Sequence, residues 1–193
     1  MPRVVAFDLM DTVVRDPYRE ALEAATGLPP AELFSRRDPD AYPALERGDL
    51  PEAGYWATYA AAGIPVDVDA FHMARRAGYR WLPGMRPLLE DLDGHTRRVV
   101  ASNYPTWIDE VAATFLAGVF DDVHASCHLG ARKPDEAFYL RLLDALDVEA
   151  GEVAFVDDRE ANVVAAERLG IRVHRFAGAD PLRAWLRGQG LPV

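Results

Sequence analysis

The stretch RVVAFDLMDTVV, residues 3–14, decides how the rest of the chain is read. Val4, Val5, Ala6 and Phe7 make a short apolar run whose β-branched valines favour a strand over a helix. No polar residue interrupts it, which implies burial on both faces, as in a parallel sheet. The run ends on Asp8. A carboxylate held at the end of a buried strand is rigid, an arrangement suited to a covalent aspartyl nucleophile, although capping and turn aspartates also favour strand ends.

Working outward, similar runs recur. RRVVA leads to Ser102, VHAS to the loop carrying Lys133, and VAFV to Asp157 and Asp158, while IRVHRF (171–176) reads as one more strand. Between them PLLEDL (87–92), TWIDEVAATFLAGV (106–119), EAFYLRLLDAL (136–146) and EANVVAAERL (160–169) space their apolar residues by three and four, and PLRAWLRG (181–188) closes the chain as a helix. Strand and helix alternate, which predicts an α/β fold with about five parallel strands covered on both faces. Ligands of such sheets sit beyond the carboxyl ends of the strands, where all four polar clusters fall. The clusters are therefore expected to meet in one crevice.

Residues 15–80 break the alternation. YREALEAATG, AELFSRR, DAYPALERG, LPEAGYWATYAAAG and VDAFHMARRAGYR are helical patterns separated by Pro and Gly. We expect a helical cap over 15–80, rejoined through WLPGM (81–85) to a core made of 1–14 and 81–193.

Composition narrows the partners. A formal charge of -10 offers no basic footprint for nucleic acid or an anionic membrane, so a small diffusible ligand is expected. No apolar run approaches the roughly 20 residues of a membrane span. Cys127 is the lone cysteine and MPRVV enters a strand without a secretory leader, which together point to the cytoplasm. Lys133 is the only lysine among 21 basic residues, and Asn103 and Asn162 are the only asparagines. HASCH (124–128) lacks a second ligand pair at zinc-like spacing and reads as structural.

Taken in order, FDLMDT, the strand ending in SN, the lone lysine before Pro134, and VDD followed by Asn162 resemble the haloacid dehalogenase superfamily over nearly the whole chain. The helical insertion is similar to that superfamily's first-type cap. A narrower likeness, carried by FDLMDTVVRDP, SNYPTW, RKPDEAFY and VDDREANV, is to the flavin mononucleotide hydrolases of plant chloroplasts and their bacterial relatives. The resemblance implies a Mg²⁺-dependent phosphatase acting on a small phosphomonoester through an aspartyl-phosphate, with flavin mononucleotide as the first candidate substrate.

The residue chemistry stands beside that implication. Asp157 and Asp158 adjoin at a strand end, where their repulsion calls for a cation or a basic group. Magnesium takes oxygen ligands, and Asp8, the Met10 main-chain carbonyl and Asp158 make a reasonable set, with Asp157 as a further ligand or a support behind them. Asn162 would orient that pair or lie on a helix surface. The Ser102 hydroxyl and nearby amides offer neutral donors to a phosphoryl oxygen, and Lys133 offers a point charge. Thr12 and Asn103 are assigned to the substrate side of the site; Thr12 also suits a loop-steadying role. Tyr104 and Trp107 are candidate stacking partners for a flavin ring, whereas YWATY (55–59) fits packing between cap helices.

Met10 is the departure. The resemblance places a second aspartate there, which protonates the leaving oxygen, and a thioether can neither give nor take a proton. Asp11 points away from Asp8 in extended geometry, unless a kink turns it inward. Other sources are Arg15, Asp16 or His72 in the cap, bound water, or the substrate. Two further readings follow: a 2-haloacid dehalogenase, whose halide leaves without a proton but whose relatives lack the acidic pair, and a catalytically impaired binding protein. Oligomeric state has no signature in this chain.

Overall fold

The computed structural model describes residues 1–193. Five strands, β1 (Val4–Phe7), β2 (Arg97–Ser102), β3 (Asp122–Ala125), β4 (Val153–Asp157) and β5 (Arg172–Arg175), form one parallel sheet in the order β3-β2-β1-β4-β5. Val4 pairs with Arg97 and Val153, and Phe7 with Val100 and Val156, so β1 is central. The strand order reverses there, which opens a crevice at its carboxyl end.

The continuous apolar run of β1 is explained by two cores. Val5 and Phe7, with Val100, Ala154 and Val156, point into the larger one; Val4 and Ala6, with Val99, Val153 and Phe155, point into the smaller. Period-two alternation thus places apolar groups on both faces.

Between β1 and β2 come α1 (Tyr18–Thr26), α2 (Pro30–Arg36), α3 (Ala41–Arg47), α4 (Glu52–Ala61) and α5 (Val68–Gly78), then α6 (Met85–Asp91). Leu22, Leu33, Tyr55, Tyr59 and Phe71 of the first five join the larger core, so the helical insertion is packed against the sheet domain. The Asp67 side chain accepts the Ala70 amide at 2.9 Å and starts α5, while Gly27 ends α1 at φ 69°. The two chain crossings pair with each other. Arg15 N–H donates to Arg80 O at 2.8 Å and Leu82 N–H to Val13 O at 2.9 Å, flanking an antiparallel bridge between Val14 and Trp81. At this crossing a Cβ on Gly78 would stand 2.3 Å from the Pro17 Cβ, so the close approach requires glycine.

The remaining helices are α7 (Ile108–Thr114), α8 (Ser126–Leu129), α9 (Glu136–Leu146), α10 (Glu160–Arg168) and α11 (Ala179–Gly188). The helical pattern over 106–119 yields a helix only over 108–114, because Pro105 precedes it and Gly118 turns at φ 76°. VHAS gives up its serine to α8. No helix is long and apolar enough to cross a membrane.

Candidate active site

The ends of β1, β2 and β4 and the loop after α8 deliver the parts of the site. Asp8 continues the β1 ladder, its amide donating to Val156 O at 2.8 Å, and it is 8% exposed. The chain then closes a tight loop, with Val13 and Val14 amides on Leu9 O and the Asp11 amide on Val14 O at 2.6 Å. Asp11 occupies the left-handed region at φ 59°, the conformation glycine adopts most easily. This is the kink that brings Asp11 to the cavity wall. Its Oδ1 accepts the Asp16 amide at 3.1 Å.

Ser102 ends β2 with its hydroxyl buried and without a protein partner. Asn103 clamps the neighbouring loop: its Nδ2 donates to Lys133 O at 2.8 Å and its Oδ1 accepts the Lys133 amide at 2.7 Å. The Lys133 side chain, fully buried, bridges two strand ends. Its Nζ donates to Asp8 Oδ1 at 2.7 Å and to Asp157 Oδ2 at 2.6 Å. Asp157 also accepts both Asn162 Nδ2 contacts, at 2.9 and 3.0 Å, and the Arg159 amide at 2.9 Å. Asn162 therefore orients Asp157.

Charge does not balance here. One ammonium faces Asp8 and Asp157, with Asp158 beside them, and ligand atoms of the three carboxylates lie within 4.8 Å of one another. Burial pushes the Asp8 carboxyl up to about 7 against the pull of Lys133, and Asp157 and Asp158 add to the rise. Burial, then Asp157, raises Asp158 as well. Desolvation works against the Lys133 ammonium, but the two carboxylates outweigh it and keep it charged. A cluster with excess negative charge and oxygen donors fits a hard divalent cation. Asp157 has both oxygens engaged, so Asp8 and Asp158 are the carboxylates free to hold one.

A cavity of about 390 Å³ opens over this cluster, a volume typical of small-molecule sites. Asp8, Met10, Ser102, Asn103, Tyr104, Lys133 and Asp158 line it from below. Tyr18, Arg19, Phe34, Arg37, Tyr42 and Glu46 line it from the helical insertion. The Arg37 guanidinium stands 4.4 Å from the Phe34 ring centroid and donates to Tyr18 Oη at 2.7 Å. Glu46 Oε2 accepts Arg132 at 2.7 and 3.1 Å, tying α3 to the residue before Lys133. ALERG reads only as a helix end, and nothing in that spacing marks Glu46 as a latch.

Four residues considered for the site, Thr12, Arg15, His72 and Trp107, do not line the cavity. Thr12 is fully buried and does not line the cavity, because the loop 9–14 turns its side chain inward. Trp107 packs in an aromatic group with Trp56, Phe71 and His72. His72 meets Glu52 at 2.7 Å in that group, away from the cavity. Tyr104 lines the cavity with its hydroxyl 2.6 Å from Tyr79 Oη. The acidic trio is the one cluster of three or more metal-type ligands, so His124, Cys127 and His128 form none.

The chain as a whole is similar to known proteins. The chain is 32% identical over 192 residues to the chloroplast flavin mononucleotide hydrolase 1 of Arabidopsis thaliana, covering 98% of this chain and 78% of that one. A haloacid dehalogenase-type enzyme of Bacteroides thetaiotaomicron, solved with magnesium and inorganic phosphate, superposes with a TM-score of 0.74 at 17% identity, over 92% of this chain and 96% of the other. The L-2-haloacid dehalogenase of Xanthobacter autotrophicus, with chloropropionic acid covalently bound, superposes at 0.67 and 19% identity, over 100% and 85% of the two chains. The family model described as haloacid dehalogenase-like hydrolase matches residues 2–170, so the chain belongs to the haloacid dehalogenase-like hydrolases.

Proposed function

We propose that this hydrolase is a Mg²⁺-dependent phosphatase of small phosphomonoesters, with residues 15–80 as its cap and flavin mononucleotide as the first candidate substrate. The observation that carries this reading is the acidic trio around Lys133, with three carboxylates against one ammonium beside an unpartnered Ser102 hydroxyl. A dehalogenase needs no such excess of negative charge. The flavin assignment rests on the Arabidopsis relative, 32% identical over nearly the whole chain. The single free Cys127 suits a reducing compartment.

Asp8 attacks phosphorus, and a P–O bond to its carboxylate replaces the one to the leaving oxygen. Lys133 keeps the Asp8 carboxylate from swinging and offsets phosphoryl charge, while Ser102 Oγ donates to an equatorial oxygen. Asp157, with Asn162 behind it, fixes Lys133. Magnesium held by Asp8, Asp158 and the Met10 carbonyl would neutralise charge on the phosphoryl oxygens. Phosphate release from p-nitrophenyl phosphate and flavin mononucleotide, with and without Mg²⁺ and beside Asp8→Asn, tests the proposal. Mg²⁺-dependent release lost in the variant supports it; release from neither ester refutes it.

A further inference from the structure

Resting on that phosphatase reading, we propose that Asp16, on the linker into the helical insertion, is the acid–base residue of the reaction and does what Met10 cannot. An alkoxide leaving group needs a proton, and a proton donor must line the same cavity as Asp8. Five carboxylates line it. Asp8 is the nucleophile and Asp158 faces it as a cation ligand. Glu46 spends Oε2 on two donors of Arg132, and Asp11, exposed, accepts the Asp16 amide. Desolvation holds the phenols of buried Tyr18 and Tyr104 and half-buried Tyr42 well above their usual range, so they cannot cycle a proton near neutral pH.

Asp16 differs from all of these. It is half-buried, its Oδ1 accepts only the Tyr18 amide at 3.0 Å, and its second oxygen has no protein partner. The charged groups around it are Asp11 on the nucleophile loop, Glu20 on α1 and Arg159 before α10, with the phenols of Tyr42, Tyr79 and Tyr104 behind. Two negative neighbours oppose one positive. Burial, with Asp11 and Glu20, pushes its carboxyl up to about 6, in the range where a group can both give and take a proton. Position supports the role, since Asp16 follows the paired linkers directly and its amide is tied to the nucleophile loop.

The step balances. In the first half the Asp8–phosphorus bond forms, the phosphorus–leaving-oxygen bond breaks, and the Asp16 proton goes to that oxygen. In the second, water attacks phosphorus, its proton goes to Asp16, and the Asp8–phosphorus bond breaks.

The test is Asp16→Asn, which keeps an oxygen for the Tyr18 amide, studied by steady-state and burst kinetics beside Asp8→Asn. p-Nitrophenolate leaves without help, so the variant should release about one equivalent in a burst and then stall, with steady-state turnover down by about 10²-fold or more. With flavin mononucleotide it should give neither burst nor turnover. Wild-type rates on both esters, or loss of the p-nitrophenolate burst in a folded variant, would overturn the inference. If the variant does not fold, the wild-type pH profile decides. Because both reactions need the same ionised Asp8, release from flavin mononucleotide must fall relative to the p-nitrophenolate burst as pH rises through about 6, and parallel profiles overturn the assignment. Failure of the phosphatase reading looks different: wild type then releases phosphate from neither ester, and the role of Asp16 falls with it.

Discussion

At the residue scale, the site keeps polar groups that folding alone does not reward. Ser102 Oγ is buried without a partner, a loss that folding alone does not offset, and in the proposed reaction it is the donor to the phosphoryl group. Ser102→Ala is expected to leave the melting temperature unchanged or raised while kcat/KM falls by about 10²-fold. A coupled loss of both would make the serine structural. Lys133 is the reverse case: Lys133→Met strands Asp8 and Asp157 and should cost about 3–5 kcal/mol at pH 8 by urea denaturation. The deficit should shrink towards pH 5 as the Asp8 carboxyl, pushed up to about 7 by burial, takes up a proton. Asp16 gives a second pH signature. Its folded carboxyl is raised from 3.8 to about 6, so the stability it contributes is full below about pH 4 and lost as pH rises through 6. The stability difference between wild type and Asp16→Asn should fall across that window; a constant difference refutes the shift.

At the scale of elements, much of the molecule was legible beforehand, and the exceptions share a cause. The strands and the residues at their ends could be read because rare residue types stand beside apolar runs of fixed period. Asp8, Ser102, Asn103, Lys133 and Asp158 all line one cavity, and Asp157 lies directly beneath it, held by Lys133. The docking of the insertion could not be read, since Glu46 meets Arg132 across 86 residues of sequence and amphipathic helices do not specify which neighbour they face. Thr12 is buried beneath the loop rather than on the cavity wall, a position that fits the loop-steadying role its spacing also suits. The same linker region yields a prediction: Gly78→Ala pushes a methyl into Pro17 and should destabilise by about 1–3 kcal/mol. Melting of the purified variant checks it, and an unchanged midpoint would mean that α5 shifts freely.

At the scale of the whole molecule, the acidic surface and the acidic site have the same sign, so association with a phosphorylated ligand depends on local cations rather than on long-range attraction. Arg19, Arg37, Arg159 and Lys133 at the cavity are the groups placed to meet it. One of these has a further use. Apart from the chain's own α-amino group, Lys133 Nζ is the sole primary amine in the protein, and it is sealed and ion-paired. An amine-directed acylating reagent should therefore add a single label to the native protein and a second only when the crevice opens or the chain unfolds. Intact-mass counting of labels would then report the opening of this one site with no background from other lysines, and rapid double labelling of native protein would show that the lysine is not sealed. The near-absence of lysine makes Lys133 its own chemical reporter.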